Sequence, residues 1–145
     1  MNLSPWLLVA ASLVAAPAHA GGAACVMAKY QGVTMDYALA VGTEHPSLAQ
    51  EAAERELRDK GYADFQQHLD VIRAQNLSNL EHARVIVIRS EFEDFRGKPR
   101  SAMGCGFSGR SYRDAELDAV RDLQAHFWGW KPDAHGYRVV RKFQY

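Results

Sequence analysis

The sequence predicts an α+β fold: a mainly antiparallel sheet of about five strands with two main helices on one face. Polar and apolar residues alternate over residues 34–41 and 137–144, as in half-buried strands, and the run at 85–88 is apolar on both faces, as in a central strand. Two segments rich in alanine, glutamate and arginine have the apolar spacing of amphipathic helices. The expected order is β-β-α-(α)-β-β-α-β, with a short bracketed helix.

The first half supplies two strands and a capped helix. Residues 24–31 alternate weakly and lead through Gly32 into the stronger strand pattern. Ser47 and Gln50 make an S-x-x-Q capping box, and helix-forming residues continue as far as Gly61. The apolar stripe of this helix is mostly small, so the helix can lie close to a sheet. It comprises Leu48, Ala49, Ala52, Ala53 and Leu57.

A short helix and the second half follow. Asp64 caps the short helix, which residues 76–79 break, and its apolar residues are Phe65, Leu69 and Ile72. After the central strand, residues 91–101 form a long hairpin connection to a strand at 102–107. Ser111 opens the second main helix. The stripe of that helix is Tyr112, Ala115, Ala119, Leu123 and Phe127.

The two main helices resemble each other. Residues 51–59 (EAAERELRD) match residues 114–122 (DAELDAVRD), and a strand, a turn and a serine precede each. This similarity predicts a duplicated ββα unit. The alternative is that two helices of similar composition resemble each other without a shared origin.

The first 20 residues have the features of a secretion signal. The apolar stretch at 6–16 is shorter than the roughly 20 residues of a membrane span. Pro17 interrupts it, and residues 18–20 form an A-x-A cleavage site. An N-terminal core helix is the alternative, but Pro17 and the abrupt change to a charged sequence favour export. We predict cleavage after Ala20, which leaves residues 21–145 as a single globular domain in the periplasm or outside the cell.

Two cysteines, Cys25 and Cys105, remain after this cleavage. An even number of cysteines in an exported domain predicts a disulfide bond. Because the enclosed loop is long, the chain-entropy model gives a stabilisation on the order of 4 kcal/mol. The first strand should then lie beside the strand that carries Cys105. Two buried free thiols are the alternative.

The segment AMGCGFSGRS at residues 102–111 contains two nucleotide-binding patterns. Gly104, Gly106 and Gly109 spell G-x-G-x-x-G, and the same letters are one substitution from a phosphate-binding P-loop. However, no carboxylate follows about 20 residues later to bind a ribose, and Arg110 stands where the P-loop needs lysine. We therefore interpret the glycines as a tight turn between strand and helix. We predict neither a nucleotide nor another cofactor.

Charge and motif content exclude several further classes. All 17 basic and 17 acidic residues follow residue 20 and cancel, whereas a nucleic-acid-binding domain carries a basic excess. There is no second long apolar segment, so we predict no membrane span. The histidines are not spaced as metal ligands, and no serine lies in a nucleophile-elbow motif. The carboxylates Glu91, Glu93 and Asp94 suit a solvated charged turn, with an acid/base pair as the alternative.

The most distinctive segment is HFWGWKPDAHGY, residues 126–137. Trp128 and Trp130 offer flat stacking surfaces for a sugar ring or a protein partner. The alternative is that aromatic residues at a helix end pack onto the edge of the core. We expect Trp130, which lies further beyond the helix, to be the more exposed tryptophan. The candidate binding residues are His126, Trp128, Trp130 and His135.

These observations suggest a small exported, disulfide-bonded binding protein without catalytic activity. Its partner would be a protein or a cell-wall ligand in the envelope, as for an inhibitor, an immunity-type protein or an envelope accessory protein. The alternative is a small cell-envelope hydrolase. That function would require His126 or His135 in a cleft, within hydrogen-bond reach of a carboxylate or a serine.

Overall fold

Two three-stranded antiparallel sheets lie face to face, and one long helix covers the outer face of each sheet. The computed structural model describes residues 20–62 and 71–145, with the backbone alone for residues 71–74. The predicted leader up to residue 19 lies outside the described residues, as do Asp64, Phe65 and Leu69 of the predicted short helix. The elements in chain order are β1 (Gly22–Tyr30), β2 (Val33–Thr43), α1 (Pro46–Asp59), β3 (Val71–Asn79), β4 (Arg84–Glu93), β5 (Pro99–Ser108), α2 (Tyr112–His126), α3 (Pro132–His135) and β6 (Arg138–Gln144).

The α+β class is confirmed, but the strands form two sheets instead of one. The first sheet has the order β2-β1-β3 and the second has the order β5-β4-β6. The sequence predicts helix and then a break over residues 71–79, whereas this segment is strand β3 and pairs along almost all of β1. Because β1 is buried over most of its length, the backbone groups on both of its edges need hydrogen-bond partners. Strand β3 supplies the partners on the second edge.

The two long helices lie on opposite sides of the molecule, so the prediction of two helices on one face is wrong. Helix α1 packs Ala53 and Leu57 on the first sheet. Helix α2 packs Ala115, Ala119 and Leu123 on the second sheet. The reason is that β1 and β4 are apolar on both faces, so each sheet needs one cover from the other sheet and one from a helix.

Each half of the chain has the order ββαβ, apart from the short helix α3 in the second half, and has its first strand in the centre of its sheet. We call residues 22–79 the first unit and residues 84–144 the second unit. The predicted ββα repeat is matched only in part, because each unit also has a closing strand, β3 or β6. In each unit the closing strand pairs with the edge of the central strand, β1 or β4, that the second strand of the unit leaves unpaired.

The predicted disulfide bond joins the two units. Cys25 and Cys105 are bonded, fully buried and 6.3 Å apart between their Cα atoms. Their strands lie together, but on facing sheets instead of as hydrogen-bonded neighbours. The bond lies in the core between the sheets, which is built from Ala23, Cys25, Met27, Val85, Val87, Met103, Cys105 and Phe107.

The glycine-rich segment belongs mainly to strand β5. Gly104 and Gly106 face helix α2, and a Cβ atom at either position would overlap the helix backbone near Ala115 and Ala119. The interpretation of these two glycines as a turn is therefore wrong. They allow the helix to lie directly on the strand, whereas Gly109 follows the strand and has open space around it.

Four polar side chains complete the outer edge of β5, and we call them the edge clasp: Gln75, Asn76, Asp118 and Asp122. Gln75 Nε2 donates to the Met103 carbonyl at 2.8 Å, and Asn76 Nδ2 donates to the Cys105 carbonyl at 2.7 Å. Asp122 Oδ2 accepts from the Cys105 N–H at 2.8 Å, and Asp118 Oδ2 accepts from the Phe107 N–H at 2.9 Å. The clasp takes the place of a neighbouring strand on this edge.

The sequence predicts the N-terminal cap correctly for one of the two long helices. Ser111 caps α2 as predicted, since its Oγ accepts from the Asp114 N–H at 3.0 Å. The predicted Ser47–Gln50 capping box is wrong. His45 caps α1 instead, through a 3.2 Å bond from the Ser47 N–H to His45 Nδ1, and Pro46 occupies the first helical position, which it suits.

Candidate binding groove

A groove of about 780 Å³ lies where the end of α2 meets the β4–β5 hairpin and the β1–β2 turn. We call it the aromatic groove. Its lining residues are Lys29, Gly32, Phe92, Glu93, Asp94, Phe95, Arg100, His126, Phe127, Trp128, Gly129, Trp130, Lys131 and His135. The volume is within the range of about 300–1,000 Å³ typical of ligand sites. All four candidate residues taken from the sequence lie in this lining.

One wall of the groove is the β4–β5 turn, which Asp94 holds in place. Asp94 Oδ1 accepts from the N–H groups of Arg96 at 2.8 Å and Lys98 at 3.0 Å, and Arg100 Nε donates to Oδ2 at 3.0 Å. The hydrogen bond from Lys98, followed by those from Arg96 and Arg100, holds the pKa of Asp94 below its usual range. This turn presents Phe95 to solvent, where 82% of the residue is exposed.

The opposite wall follows the C-terminus of α2. The Trp130 N–H donates to the Phe127 carbonyl at 3.2 Å, which closes a turn with Trp128 and Gly129 at its centre. Gly129 has a φ of 87°, a backbone conformation that side chains disfavour. The turn leaves Trp128 92% exposed.

Trp130 is buried, so the expectation that it is the more exposed tryptophan is wrong. Its residue is 3% exposed, and its Nε1–H donates to Ser90 Oγ at 2.8 Å. The Ser90 hydroxyl in turn donates to the Gly136 carbonyl at 2.7 Å. A buried indole N–H usually has a hydrogen-bond partner. The two successive hydrogen bonds hold Trp130 in place at the base of the loop that carries Trp128.

His126 lies at the groove beside a buried carboxylate. Its Nδ1 is 2.8 Å from the Asp122 carbonyl oxygen and 3.2 Å from Asp122 Oδ1. Burial raises the pKa of Asp122 to about 6, against the opposing effects of the Cys105 N–H, His126 and Gln75. His126 therefore connects the groove to the edge clasp.

His135 lies across the floor of the groove. Its ring is 5.0 Å from that of Phe92, and its Nδ1 accepts from the Lys131 N–H at 2.8 Å. On the side of the first unit, Lys29 Nζ lies 4.2 Å from the centre of the Phe127 ring, in the geometry of a cation–π contact. Lys29 and Gly32 thus bring the first unit to this groove.

No family model, curated protein or solved structure matches this chain. The assignment of a function therefore depends on the groove itself. Within residues 20–62 and 71–145, no three histidine, cysteine or carboxylate side chains are grouped as ligands for a metal ion.

Sequence reasoning did not select Phe95, Arg100 or Lys29, which the fold brings to the candidate residues from other elements. Phe95 carried a usable signal, because an aromatic residue among the charged residues of a hairpin turn has no core to join. Of the carboxylates in that connection, Glu91 pairs with Arg89 at 3.2 Å and Asp94 stabilises the turn. These contacts suit the solvated-turn interpretation.

Proposed function

We propose that this protein is a small exported, disulfide-bonded binding protein without catalytic activity, and that its partner in the cell envelope occupies the aromatic groove. The supporting observation is that Trp128 and Phe95 line the same groove although they come from different elements. They are the two most exposed large apolar residues in the described part of the chain. Exposed apolar residues grouped in this way are typical of interaction sites.

The groove also has the rigidity that favours binding. Trp128 sits on a turn anchored by Trp130, and Phe95 sits on a turn held by Asp94. A backbone turn that is already fixed in position loses little conformational entropy when a partner binds. Both walls are therefore prepared for binding before the partner arrives.

The proposed location rests on the leader and the disulfide bond. A buried bond between Cys25 and Cys105 is compatible with an oxidising compartment. No helix in the described part of the chain is long and apolar enough to cross a membrane. We expect mass spectrometry of the protein expressed from the full-length chain to find Gly21 at the N-terminus and a mass two hydrogens below that of the reduced form. An intact leader or two free thiols would contradict this proposal.

Capture of an envelope component tests whether the groove binds a partner. Purified protein is immobilised and incubated with envelope extract, and the retained proteins and glycans are identified. We expect a specific component that the double variant Trp128→Ala/Phe95→Ala loses by tenfold or more. The matched control is Leu48→Ala/Leu117→Ala, which removes two leucines that are about half exposed and lie outside the groove. Equal retention by both double variants would place the binding site elsewhere.

A cell-envelope hydrolase is the second candidate, favoured by the contact between His126 and Asp122. A histidine beside a carboxylate in a groove is what general-base catalysis requires. However, no serine, threonine or cysteine is among the lining residues, so water would have to be the nucleophile. The lowered pKa of Asp94 also makes its carboxyl group unsuitable as a general acid. We expect no release of soluble fragments from purified cell walls; release that His126→Asn abolishes would establish the hydrolase instead.

A further inference from the structure

We infer that the aromatic groove binds a carbohydrate, with a sugar ring stacked on Trp128 and sugar hydroxyls bound by the outer nitrogens of His126 and His135. This inference rests on the proposed function, because it specifies the class of partner for the same groove. It follows from the bonding of the two histidines, the polarity of the lining and the size of the groove.

The two imidazoles face opposite kinds of hydrogen-bond partner at Nδ1. His126 Nδ1 faces the Asp122 carbonyl oxygen, which can only accept, so Nδ1 carries the proton and a neutral ring leaves Nε2 as an acceptor. His135 Nδ1 accepts from the Lys131 N–H, so a neutral ring carries its proton on Nε2 and leaves that atom as a donor. Neither Nε2 has a hydrogen-bond partner within the described part of the chain. The groove therefore offers one free acceptor and one free donor on two fixed rings.

This pairing fits hydroxyl groups. A sugar hydroxyl donates one hydrogen bond and accepts others, so neighbouring hydroxyls can satisfy a donor and an acceptor at once. A carboxylate or a phosphate diester can only accept at neutral pH and would leave His126 Nε2 without a donor. The two histidines thus favour a polyhydroxylated ligand over an anionic one.

The remaining polar residues of the groove have the same mixed character. Lys29, Arg100 and Lys131 are cationic and Glu93 and Asp94 are anionic, so both signs of charge are present in the lining. Arg100 and Asp94 are already paired at 3.0 Å, so the net charge available to a ligand is small. A groove for an acidic polymer would have a larger excess of cations than this one.

The shape of the groove favours a ring-sized ligand over a protein surface. A stable protein interface buries roughly 1,200–2,000 Å² and has its central aromatic residues surrounded by contacts that exclude water. Trp128 instead lies at the edge of a cavity of about 780 Å³, a volume typical of small-ligand sites. A flat aromatic ring exposed on a concave site can stack against the apolar face of a sugar while the hydroxyls point to the polar lining.

The test uses chitotetraose, maltotetraose and glycan fragments released from purified cell walls by lysozyme. Binding is measured by calorimetry and by tryptophan fluorescence, and the variant Trp128→Phe, which retains Trp130, shows how much of the fluorescence change comes from Trp130. We expect at least one probe to bind and to change the fluorescence. Trp128→Ala should raise the Kd about tenfold or more, and Trp128→Phe, which keeps a stacking ring, only a fewfold. Leu48→Ala should bind as the wild type does.

The histidines are tested by His126→Asn and His135→Asn. An asparagine amide reaches the position of Nδ1, so each variant keeps its bond to Asp122 or to Lys131 and loses only the outer nitrogen. We expect each to raise the Kd between about twofold and tenfold, as for one hydrogen bond. Unchanged affinity in both variants would overturn the assignment of these nitrogens.

The outcomes separate this inference from the proposed function. Failure of every glycan probe, together with capture of an envelope protein that depends on Trp128 and Phe95, would overturn the carbohydrate inference and keep the binding groove. Failure of the probes and of all capture would overturn both.

Discussion

The two units have the same strand order, but their helices are attached to their sheets in different ways. In the first unit, α1 lies on side chains of the sheet, with Leu57 packed among Val26, Ala28 and Ala38. In the second unit, α2 lies on the backbone of β5 at Gly104 and Gly106, and the edge clasp bonds the helix to that strand. The first attachment is apolar, whereas the second adds directional hydrogen bonds.

This difference determines how firmly the end of each helix is held. Lys60, at the end of α1, makes ion pairs with Glu56 at 3.1 Å and Asp36 at 3.4 Å, and such exposed pairs contribute little to stability. The end of α2 follows Asp122, which is buried and bonded to β5. Close packing on glycine is what brings a side chain as short as aspartate to the strand. The unit that carries the aromatic groove is therefore the one whose helix end is fixed.

The largest expected effect comes from separating the two units at the disulfide bond. Cys25→Ala/Cys105→Ala should lower the free energy of unfolding by about 4 kcal/mol, because the bond closes a loop of 80 residues. Urea denaturation followed by circular dichroism and by tryptophan fluorescence measures it. Wild type in a reducing agent should match the variant.

The same experiment tests whether the units unfold together. Trp128 and Trp130 both lie in the second unit, so fluorescence reports that unit while circular dichroism reports both. The two units share the core between the sheets, so we expect the two transitions to coincide, as the predicted single domain requires. Separate transitions would make the units independent domains and break the comparison.

The sequence predicts those features that depend on local pattern. The central strand β4, the second helix with its Ser111 cap and the pairing of Cys25 with Cys105 all follow from periodicity, capping chemistry and cysteine count. Strand β3 is missed because residues 76–79 suggest a break, whereas the amide of Asn76, like that of its neighbour Gln75, is bound to β5. A polar side chain that completes a distant strand edge leaves no periodic signal in its own segment.

The candidate site shows the same limit. The residues of one segment, 126–137, can be selected as a cluster of aromatic rings and histidines. Which tryptophan is buried depends on Ser90, 40 residues away, whose hydroxyl accepts the Trp130 N–H. The opposite wall, Phe95, joins the site only through the packing of the hairpin against the end of α2. Contacts of this range are properties of the fold.

The second prediction adds a methyl group between α2 and β5. Gly106→Ala places a Cβ where the backbone of Ala115 and Ala119 lies, so the helix must move away from the strand. We expect a loss of about 3 kcal/mol in the free energy of unfolding, at the upper end of overpacking effects because backbone atoms cannot rotate aside. Gly109→Ala is the matched control, since nothing lies within 4 Å of its added Cβ. If both variants lost the same small amount of unfolding free energy, α2 would tolerate a side chain between itself and its sheet, as α1 does.

The smallest of the three effects tests the buried carboxylate of the edge clasp through its pH dependence. Burial raises the pKa of Asp122 from 3.8 to about 6 in the folded protein, so the folded state holds this proton more tightly than the unfolded state does. The resulting stabilisation is complete below the unfolded pKa and is lost as the pH rises through the folded pKa. Asp122→Asn cannot titrate and lacks this component.

The free energy of unfolding of the wild type, measured relative to Asp122→Asn, should therefore fall by roughly 2 kcal/mol between pH 4 and pH 7. Urea denaturation of both proteins at the two pH values gives this difference, and any change in hydrogen bonding caused by the substitution cancels between them. The edge clasp is then expected to hold α2 most firmly in mild acid. Its hydrogen bonds to β5 also form at neutral pH. Parallel pH profiles for the two proteins would mean that Asp122 is solvated, and Asp118 would then be the carboxylate of the edge clasp that holds α2 on β5.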